Sequence, residues 1–226
     1  MRFATCFANR HANRVHRKAP SLIVKVCGIT RPEDAVAAVR AGADWIGINF
    51  WPKSSRFCTD SLGCLVADAA RRAGEVDVVG VFVNATPARI REVDATIGFD
   101  RIQLHGDETP ADCAAFAGRY MKAISMTTPS DIGRLSEYDC DVFLVDTPTQ
   151  GYGGSGRTGD WGLAAEATAT GRLVVLAGGL TPGNVAKAIR TVQPYGVDVA
   201  SGVEYEPGMK DARAMARFVE AAKAAL

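Results

Sequence analysis

A cysteine and an aspartate each stand at the end of an apolar run, a placement that suits proton-transfer chemistry. Cys27 follows the run 22–26 and precedes Gly28, and Asp146 ends the run 141–146. Side chains at the carboxyl ends of parallel strands face the active site in α/β proteins. A thiol and a carboxyl across one small site can divide the removal and the supply of a proton. We expect Cys27 to be a catalytic base and Asp146 to be its partner.

Both residues also have simpler interpretations. An aspartate at the end of a strand can cap a turn, and a lone cysteine is most often a small buried apolar residue. The glycine after Cys27 and its position at the end of the strand pattern favour an orientation toward the active site over one toward the core.

Glycine-rich segments follow the last two predicted strands and indicate a phosphate site. Thr181 and Pro182, after the first of these segments, have the residue types of a helix N-cap and a first helical residue. Glycines let backbone N–H groups approach an anion, and (β/α)₈ barrels commonly bind phosphate after strands seven and eight. Tight turns are the alternative interpretation. The candidate phosphate ligands here are Gly178, Gly179, Ser201 and Gly202.

Other polar residues are predicted near the same site. Arg56, in a long loop, could bind a substrate carboxylate or be a solvated loop arginine. His105 could contact substrate or be satisfied inside the fold, and Asp198 lies in a strand pattern where a charge needs a partner. The segment 152–156 is expected to form a lid over Asp146. We include its Gly156 among the phosphate ligands.

Alternating apolar runs and helical stretches predict the fold that positions these residues. Strands are predicted at 22–26, 44–50, 76–83, 101–105, 119–125, 141–146, 172–177 and 196–200. Helices are predicted at 33–41, 60–73, 87–97, 110–117, 129–137, 160–169, 182–192 and 210–225. About eight strand–helix units favour an α/β fold, a (β/α)₈ TIM barrel, over a doubly wound open sheet. The longest connections, 51–59 and 147–159, follow strands and belong on the catalytic face.

Composition narrows the class of protein. The 226-residue chain is 47% hydrophobic and 23% charged with a net charge of +1, so neither nucleic acid nor a membrane is an expected partner. Six scattered cysteines without short-spaced pairs predict free thiols in a reducing compartment such as the cytoplasm. The absence of CxxC spacing and the three histidines argue against a metal site.

The first twenty residues differ from the rest. They carry arginine and lysine without any acidic residue. An organellar presequence, a start codon placed too far upstream and a disordered tail all fit this composition. We expect a disordered extension over 1–20 and a single catalytic barrel over 21–226.

The motifs together resemble the phosphoribosylanthranilate isomerase family of tryptophan biosynthesis. They run in order from about residue 22 to the C-terminus. They are Val24-Lys-Val-Cys-Gly-Ile-Thr30, Pro52-Lys-Ser-Ser-Arg56, Gly80-Val-Phe-Val-Asn84, Gln103-Leu-His-Gly-Asp107, Leu144-Val-Asp146, Gly153-Gly-Ser-Gly-Arg-Thr158, Asp160-Trp161, Ala177-Gly-Gly-Leu180 and Asp198-Val-Ala-Ser-Gly-Val-Glu204.

The resemblance implies an Amadori rearrangement of N-(5-phosphoribosyl)anthranilate, an aldose–ketose isomerisation. Asp146 would be the general acid that opens the furanose ring, and Cys27 the thiolate that takes the proton from C2. Arg56 would engage the anthranilate carboxylate. The family needs no metal or organic cofactor, and a phosphorylated sugar would be the binding partner of a monomer or homodimer.

Two rival functions remain at this stage. A related sugar-phosphate isomerase of the histidine pathway would usually use two aspartates, whereas this chain has a cysteine at the first strand end. A barrel that binds phosphorylated ligands without catalysis would be favoured if Cys27 or Asp146 were absent.

Overall fold

Eight parallel strands close into a barrel in the computed structural model, which describes residues 22–146 and 161–225. Strand β8 pairs with β1, with Ile23 opposite Gly196, so the sheet has no open edge. The predicted (β/α)₈ barrel is confirmed, and the open sheet is wrong. The strands are β1 Ile23–Cys27, β2 Trp45–Asn49, β3 Asp77–Phe82, β4 Arg101–Leu104, β5 Tyr120–Ser125, β6 Val142–Asp146, β7 Leu173–Ala177 and β8 Gly196–Val199.

Helices surround the barrel where the spacing of apolar residues predicts them. Short polar residues fix several helix starts: the side chains of Thr59 and Thr86 each accept a backbone N–H of the first turn. Gly42 ends the first helix in the left-handed conformation that glycine adopts without strain. The helices are α1 Pro32–Ala41, α2 Asp60–Ala73, α3 Pro87–Ile97, α4 Pro110–Cys113, α5 Trp161–Ala169, α6 Val185–Val192 and α7 Ala212–Lys223.

Two predicted helices are shorter or tighter than expected. The segment predicted at 110–117 is a single α-helical turn, α4, continued by a 3₁₀ turn at Ala114–Phe116. The segment predicted at 129–137 is a 3₁₀ helix, Pro129–Ser136. Both begin with threonine and proline and are too short to propagate as regular α-helix, since nucleation is costly and few bonds follow.

The connections after β7 and β8 also differ from prediction. Pro182 does not start α6; residues 182–184 form a turn because the Asn184 side chain accepts the Thr181 N–H and donates to the Gly179 carbonyl. After β8, a 3₁₀ turn at Ser201–Val203 leads into a small hairpin, β9 Glu204–Glu206 and β10 Met209–Lys210, which no apolar pattern predicts.

The barrel interior is apolar at one end and polar at the other. Apolar side chains fill its lower part; they include Ile23, Trp45, Val79, Met121, Leu144 and Val175. Above them the buried polar side chains Lys25, Gln103 and Asp198 share the inward-facing strand positions. The polar layer therefore lies directly beneath the carboxyl ends of the strands, where Cys27 and Asp146 stand.

Several predicted features lie outside the described residues. They are the N-terminal extension 1–20, the glycine-rich segment 152–156 with Gly156, and residue 160, the first residue of the helix predicted at 160–169. Among the described residues, no helix is both long enough and apolar enough to cross a membrane.

Candidate active site

One cavity of about 390 Å³ at the carboxyl ends of the strands brings the predicted site together. Its wall extends from β1 across β6 to the turns after β7 and β8. Of the predicted site residues that the structure describes, all line it: Cys27, Arg56, His105, Asp146, Gly178, Gly179, Asp198, Ser201 and Gly202. The hypothesis that the strand ends form one site is therefore supported by the geometry.

Cys27 stands at the rim of the barrel as the last residue of β1. Gly28 follows with a φ of 73°, and its N–H donates to the Gly47 carbonyl at 2.9 Å, so the chain turns away directly after the thiol. Burial raises the pKa of the Cys27 thiol, and the charge of Lys25 opposes that increase. A base of this kind needs a cation beside it to form a thiolate near neutral pH.

Lys25 is that cation, and the sequence patterns did not predict it. The side chain is fully buried inside the barrel, and its Nζ lies 2.8 Å from Oδ1 of Asp198. Burial opposes its charge, but Asp198 and Cys27 outweigh burial and raise the pKa of Lys25, so the ammonium stays protonated. This pair also answers the expectation that Asp198 needs a partner. The signal was present as a lysine two residues before Cys27 in an apolar strand.

Asp146 ends β6 with its side chain in the same cavity as Cys27. Burial raises the pKa of its carboxyl, and the nearby negative charge of Asp198 adds to the increase. Both effects favour the protonated form that can donate a proton near neutral pH. The environment thus suits a general acid.

Arg56 faces the cavity but is already held by a carboxylate. Its Nε and Nη2 lie 2.8 and 2.5 Å from the two oxygens of Glu204. Lys210 donates to the same carboxylate at 2.7 Å and to the Ala200 carbonyl at 3.0 Å. The Arg56 side chain packs directly on Gly28, so a Cβ at Gly28 would overlap Cδ of Arg56. The sequence predicted Arg56 as a site residue but missed its partner Glu204 and the second cation on that carboxylate, Lys210.

His105 is a neutral hydrogen-bonding group in this site. Burial lowers the pKa of its imidazole, with Lys25 contributing in the same direction. The amide nitrogen of Gln103 lies 2.6 Å from Nδ1 of His105. With the amide nitrogen of Gln103 as the donor, Nδ1 accepts and the ring proton is on Nε2. One ring nitrogen of His105 is thus hydrogen-bonded within the protein, and the residue also lines the cavity, so contact with substrate stays a prediction.

The turns after β7 and β8 meet at one side of the cavity. Gly178 and Gly179 have φ values of 93° and 63°, a left-handed backbone that glycine adopts readily. Gly202 packs so closely on the Leu180 carbonyl that a Cβ there would overlap it. Small residues at both turns leave backbone N–H groups accessible, which is the arrangement that binds phosphate in such barrels.

Metal-binding side chains do not gather in this part of the molecule. Within residues 22–146 and 161–225, no three His, Cys, Asp or Glu side chains lie where they could hold a metal ion together.

Comparisons with known proteins agree with this site. Residues 24–221 match the family model for N-(5'phosphoribosyl)anthranilate (PRA) isomerase. The N-(5'-phosphoribosyl)anthranilate isomerase of Myxococcus xanthus is 48% identical over 207 residues, which cover 90% of this chain and 97% of the relative.

Solved structures agree in the same way. The phosphoribosyl anthranilate isomerase of Thermotoga maritima superposes with a TM-score of 0.82 at 39% identity, over 90% of this chain and all (100%) of the other. A phosphoribosyl anthranilate isomerase in complex with reduced 1-(O-carboxyphenylamino)-1-deoxyribulose 5-phosphate superposes with a TM-score of 0.79 at 36% identity, with the same two coverages of 90% and 100%. The fold, the cavity and these matches lead to one conclusion: the chain belongs to the N-(5'-phosphoribosyl)anthranilate isomerase family.

Proposed function

We propose that this protein isomerises N-(5'-phosphoribosyl)anthranilate in tryptophan biosynthesis, with Asp146 as the general acid and Cys27 as the general base. The observation that carries the assignment of roles is that one cavity contains both groups together with the glycine turns after β7 and β8. The acid lies where burial favours its protonated form, and the base lies beside a buried cation.

The first step opens the sugar ring. Asp146 donates its proton to the furanose ring oxygen while the C1–O bond breaks. The lone pair of the anthranilate nitrogen forms the C1=N bond, giving a Schiff base in its protonated form. A carboxyl whose pKa is raised is suited to this step, because its environment favours the protonated form that donates.

The second step moves a proton from carbon. The Cys27 thiolate takes the proton from C2, the C–H electrons form C1=C2, and the C1=N electrons return to nitrogen. The resulting enolamine becomes the ketone when its hydroxyl loses a proton and C1 gains one. No electrons leave the substrate, so acid and base groups suffice for the reaction.

Binding uses the remaining residues of the cavity. The turns that contain Gly178, Gly179, Ser201 and Gly202 would hold the phosphate through backbone N–H groups. Arg56 would bind the anthranilate carboxylate with Nη1, since Glu204 occupies its other edge. His105 would donate from Nε2 to the sugar. Gly156 remains a predicted phosphate ligand in the segment outside the described residues.

The test is the fluorescence decay of enzymatically generated phosphoribosylanthranilate. The protein should accelerate the decay, and Cys27→Ala and Asp146→Asn should each lower turnover by about 10²–10⁴-fold. Cys64→Ala, on helix α2, and Asp139→Asn, on the exposed segment before β6, are matched controls that should keep full turnover. Full activity of Cys27→Ala would remove the thiol from the mechanism, and no acceleration by the unaltered protein would contradict the function.

Two finer expectations belong to the same proposal. We expect a reducing, cytoplasmic location, because the five cysteines that the structure describes are free thiols. A monomer or a homodimer is the expected assembly, and sedimentation of the purified protein would distinguish the two.

A further inference from the structure

Among the described residues, two lysines are fully buried, Lys25 inside the barrel and Lys122 on the outer side of β5, and of the two only Lys122 has all its hydrogen bonds satisfied. Lys122 donates to three backbone carbonyls, those of Leu104, Gly106 and Ala123, and to Oε2 of Glu108. Such a lysine is a structural element that joins β4 to β5. It has no donor left for another group.

Lys25 differs from Lys122 in this respect. An ammonium has three N–H donors, and the one oxygen or nitrogen acceptor that Lys25 contacts among the described residues is Oδ1 of Asp198. A fully buried ammonium with donors to spare is costly unless another acceptor is close. The strand itself supplies one, because Lys25 and Cys27 are two residues apart in β1 and point to the same side.

Gly47, on the neighbouring strand β2, provides the space that the ammonium and the sulfur share. A Cβ at Gly47 would lie 2.7 Å from Sγ of Cys27 and 3.2 Å from Nζ of Lys25. Both atoms therefore border the space that a side chain at position 47 would fill. Any larger residue at this position would separate them or displace the sulfur.

The other charges around Cys27 are already committed elsewhere. Arg56 and Lys210 both contact the Glu204 carboxylate at the mouth, and His105 is neutral. Asp198, on β8, contacts Lys25 and lines the cavity that also contains Asp146. Among the described residues, Lys25 is thus the cation that shares the space at Gly47 with the sulfur, and it does not line the cavity where substrate would bind.

We propose that Lys25 is a positioning residue for catalysis, whose ammonium, anchored by Asp198, stabilises the thiolate of Cys27 from inside the barrel. The proposal rests on the proposed function, since it gives the base of that reaction its source of stabilisation. Asp198 has a second effect. Its carboxylate lines the same cavity as Asp146, and its negative charge favours the protonated form of that acid. One buried ion pair thereby supports the opposite protonation states that acid and base need.

The test measures the thiol directly and does not depend on activity. The alkylation rate of Cys27 by iodoacetamide, followed by mass spectrometry of its peptide between about pH 6 and about pH 10, gives the thiol pKa. In Lys25→Met this pKa should rise by about one unit or more, so that alkylation near neutral pH slows about tenfold. Asp198→Asn should raise it less than Lys25→Met does, because this variant removes an anion near the thiol as well as the counter-ion that favours a charged Lys25.

Control variants separate this role from a loss of fold. Lys122→Met removes the other fully buried lysine and should lower thermal stability, but it should leave the Cys27 alkylation profile unchanged. If Lys25→Met does not fold, Lys25→Met with Asp198→Asn removes both buried charges together, which proteins often tolerate. Since Lys25 affects the thiol more than Asp198 does, the double variant should still raise the thiol pKa.

The outcomes distinguish this inference from the function itself. An alkylation profile unchanged in Lys25→Met, or equal upward shifts in Lys25→Met and Lys122→Met, would overturn the role of Lys25. A protein without isomerase activity whose thiol pKa still responds to Lys25→Met would contradict the proposed function and leave the electrostatic coupling intact.

Discussion

The guanidinium of Arg56 contacts both carboxylate oxygens of Glu204, at 2.8 Å from Nε and 2.5 Å from Nη2. The Glu204 side chain is almost fully buried, and Lys210 also contacts its Oε1 at 2.7 Å. The site therefore carries two cations on one carboxylate, which leaves a net positive charge toward the cavity. A planar fork held on one edge presents its other edge in a fixed direction. This relationship explains how a loop arginine can serve as a rigid carboxylate receptor.

Arg56→Lys should weaken substrate binding more than it slows the chemical step. Lysine keeps the charge but loses the two-point contact with Glu204 and the fixed direction of the remaining donors. We expect KM to rise by about 10- to 100-fold, with a much smaller change in kcat. Steady-state kinetics of the isomerase reaction measure both constants.

Arg89→Lys is the matched control for that variant. Arg89 also contacts both oxygens of a carboxylate, that of Asp60, but on the exposed surface between α2 and α3. Its replacement should leave KM and kcat unchanged. An equal KM for Arg56→Lys and the unaltered protein would exclude Arg56 as the carboxylate receptor.

Gly47→Ala should impair catalysis through the position of the sulfur. The added methyl would lie 2.7 Å from Sγ of Cys27, so the thiol or the strand must move. A displacement of this size costs about 10²-fold in rate where reacting atoms must be aligned. The kcat of Gly47→Ala measures the effect, and thermal unfolding measures any general damage.

Gly80→Ala separates the two effects. Its methyl would meet the Phe99 ring at 2.7 Å, an equally close contact on the outer side of β3, away from the sulfur. This variant should lose stability by about 1–3 kcal/mol and keep its kcat once folded. Similar kcat values for Gly47→Ala and Gly80→Ala would mean that sulfur position does not limit the rate.

The residues that the sequence predicted are those that local patterns mark. Apolar runs located all eight strands of the barrel, and the residue at the end of a run, such as Cys27 or Asp146, could be placed at the mouth of the barrel from that alone. No local pattern indicates a functional role for Lys25, since a lysine between two valines only interrupts the apolar pattern of the strand. Its partner Asp198 is 173 residues away, and only the closed barrel brings them to 2.8 Å.

Glu204, which holds Arg56, and Lys210, which contacts the same carboxylate, escaped prediction for a similar reason. Glu204 and Lys210 lie on a hairpin of three- and two-residue strands that has no apolar periodicity to predict it. The predicted start of α6 at Pro182 was wrong because a side chain competes with the helix for backbone hydrogen bonds. Asn184 satisfies Thr181 and Gly179 and delays α6 past Pro182.

Gly202→Ala should damage the phosphate site specifically. A methyl at Gly202 would overlap the Leu180 carbonyl, so the turns after β7 and β8 must separate. We expect inhibition by inorganic phosphate to weaken by about tenfold or more, because the N–H groups of the two turns no longer converge. Competition kinetics with inorganic phosphate measure this, and KM should rise in parallel.

Gly133→Ala is the control for this glycine. A Cβ at Gly133, in the 3₁₀ helix Pro129–Ser136, meets nothing within 4 Å, so the substitution should be silent in inhibition, KM and stability. Unchanged phosphate inhibition in Gly202→Ala would place the phosphate elsewhere in the cavity.

Asp146→Asn should abolish most activity, and its stability relative to the unaltered protein should increase as pH rises. Burial raises the pKa of Asp146 in the folded state above its unfolded value, so the folded state binds its proton more tightly. Stability from this group is present below the unfolded pKa of about 4 and is lost as pH rises through the folded pKa. Asparagine has no proton to lose. The Tm of Asp146→Asn should therefore rise relative to that of the unaltered protein as the pH increases above about 4.

Asp131→Asn provides a control of opposite sign. The backbone N–H groups of Thr127 and Thr128 lower the pKa of Asp131 to about 2. Its stabilising effect is present above the unfolded pKa and is lost as pH falls through about 2, so Asp131→Asn should be the less stable protein near neutral pH. Thermal unfolding of all three proteins over the same pH series compares the two signs. Parallel Tm curves for Asp146→Asn and the unaltered protein would show that Asp146 titrates as an ordinary surface carboxyl, which is incompatible with a general acid kept protonated by burial.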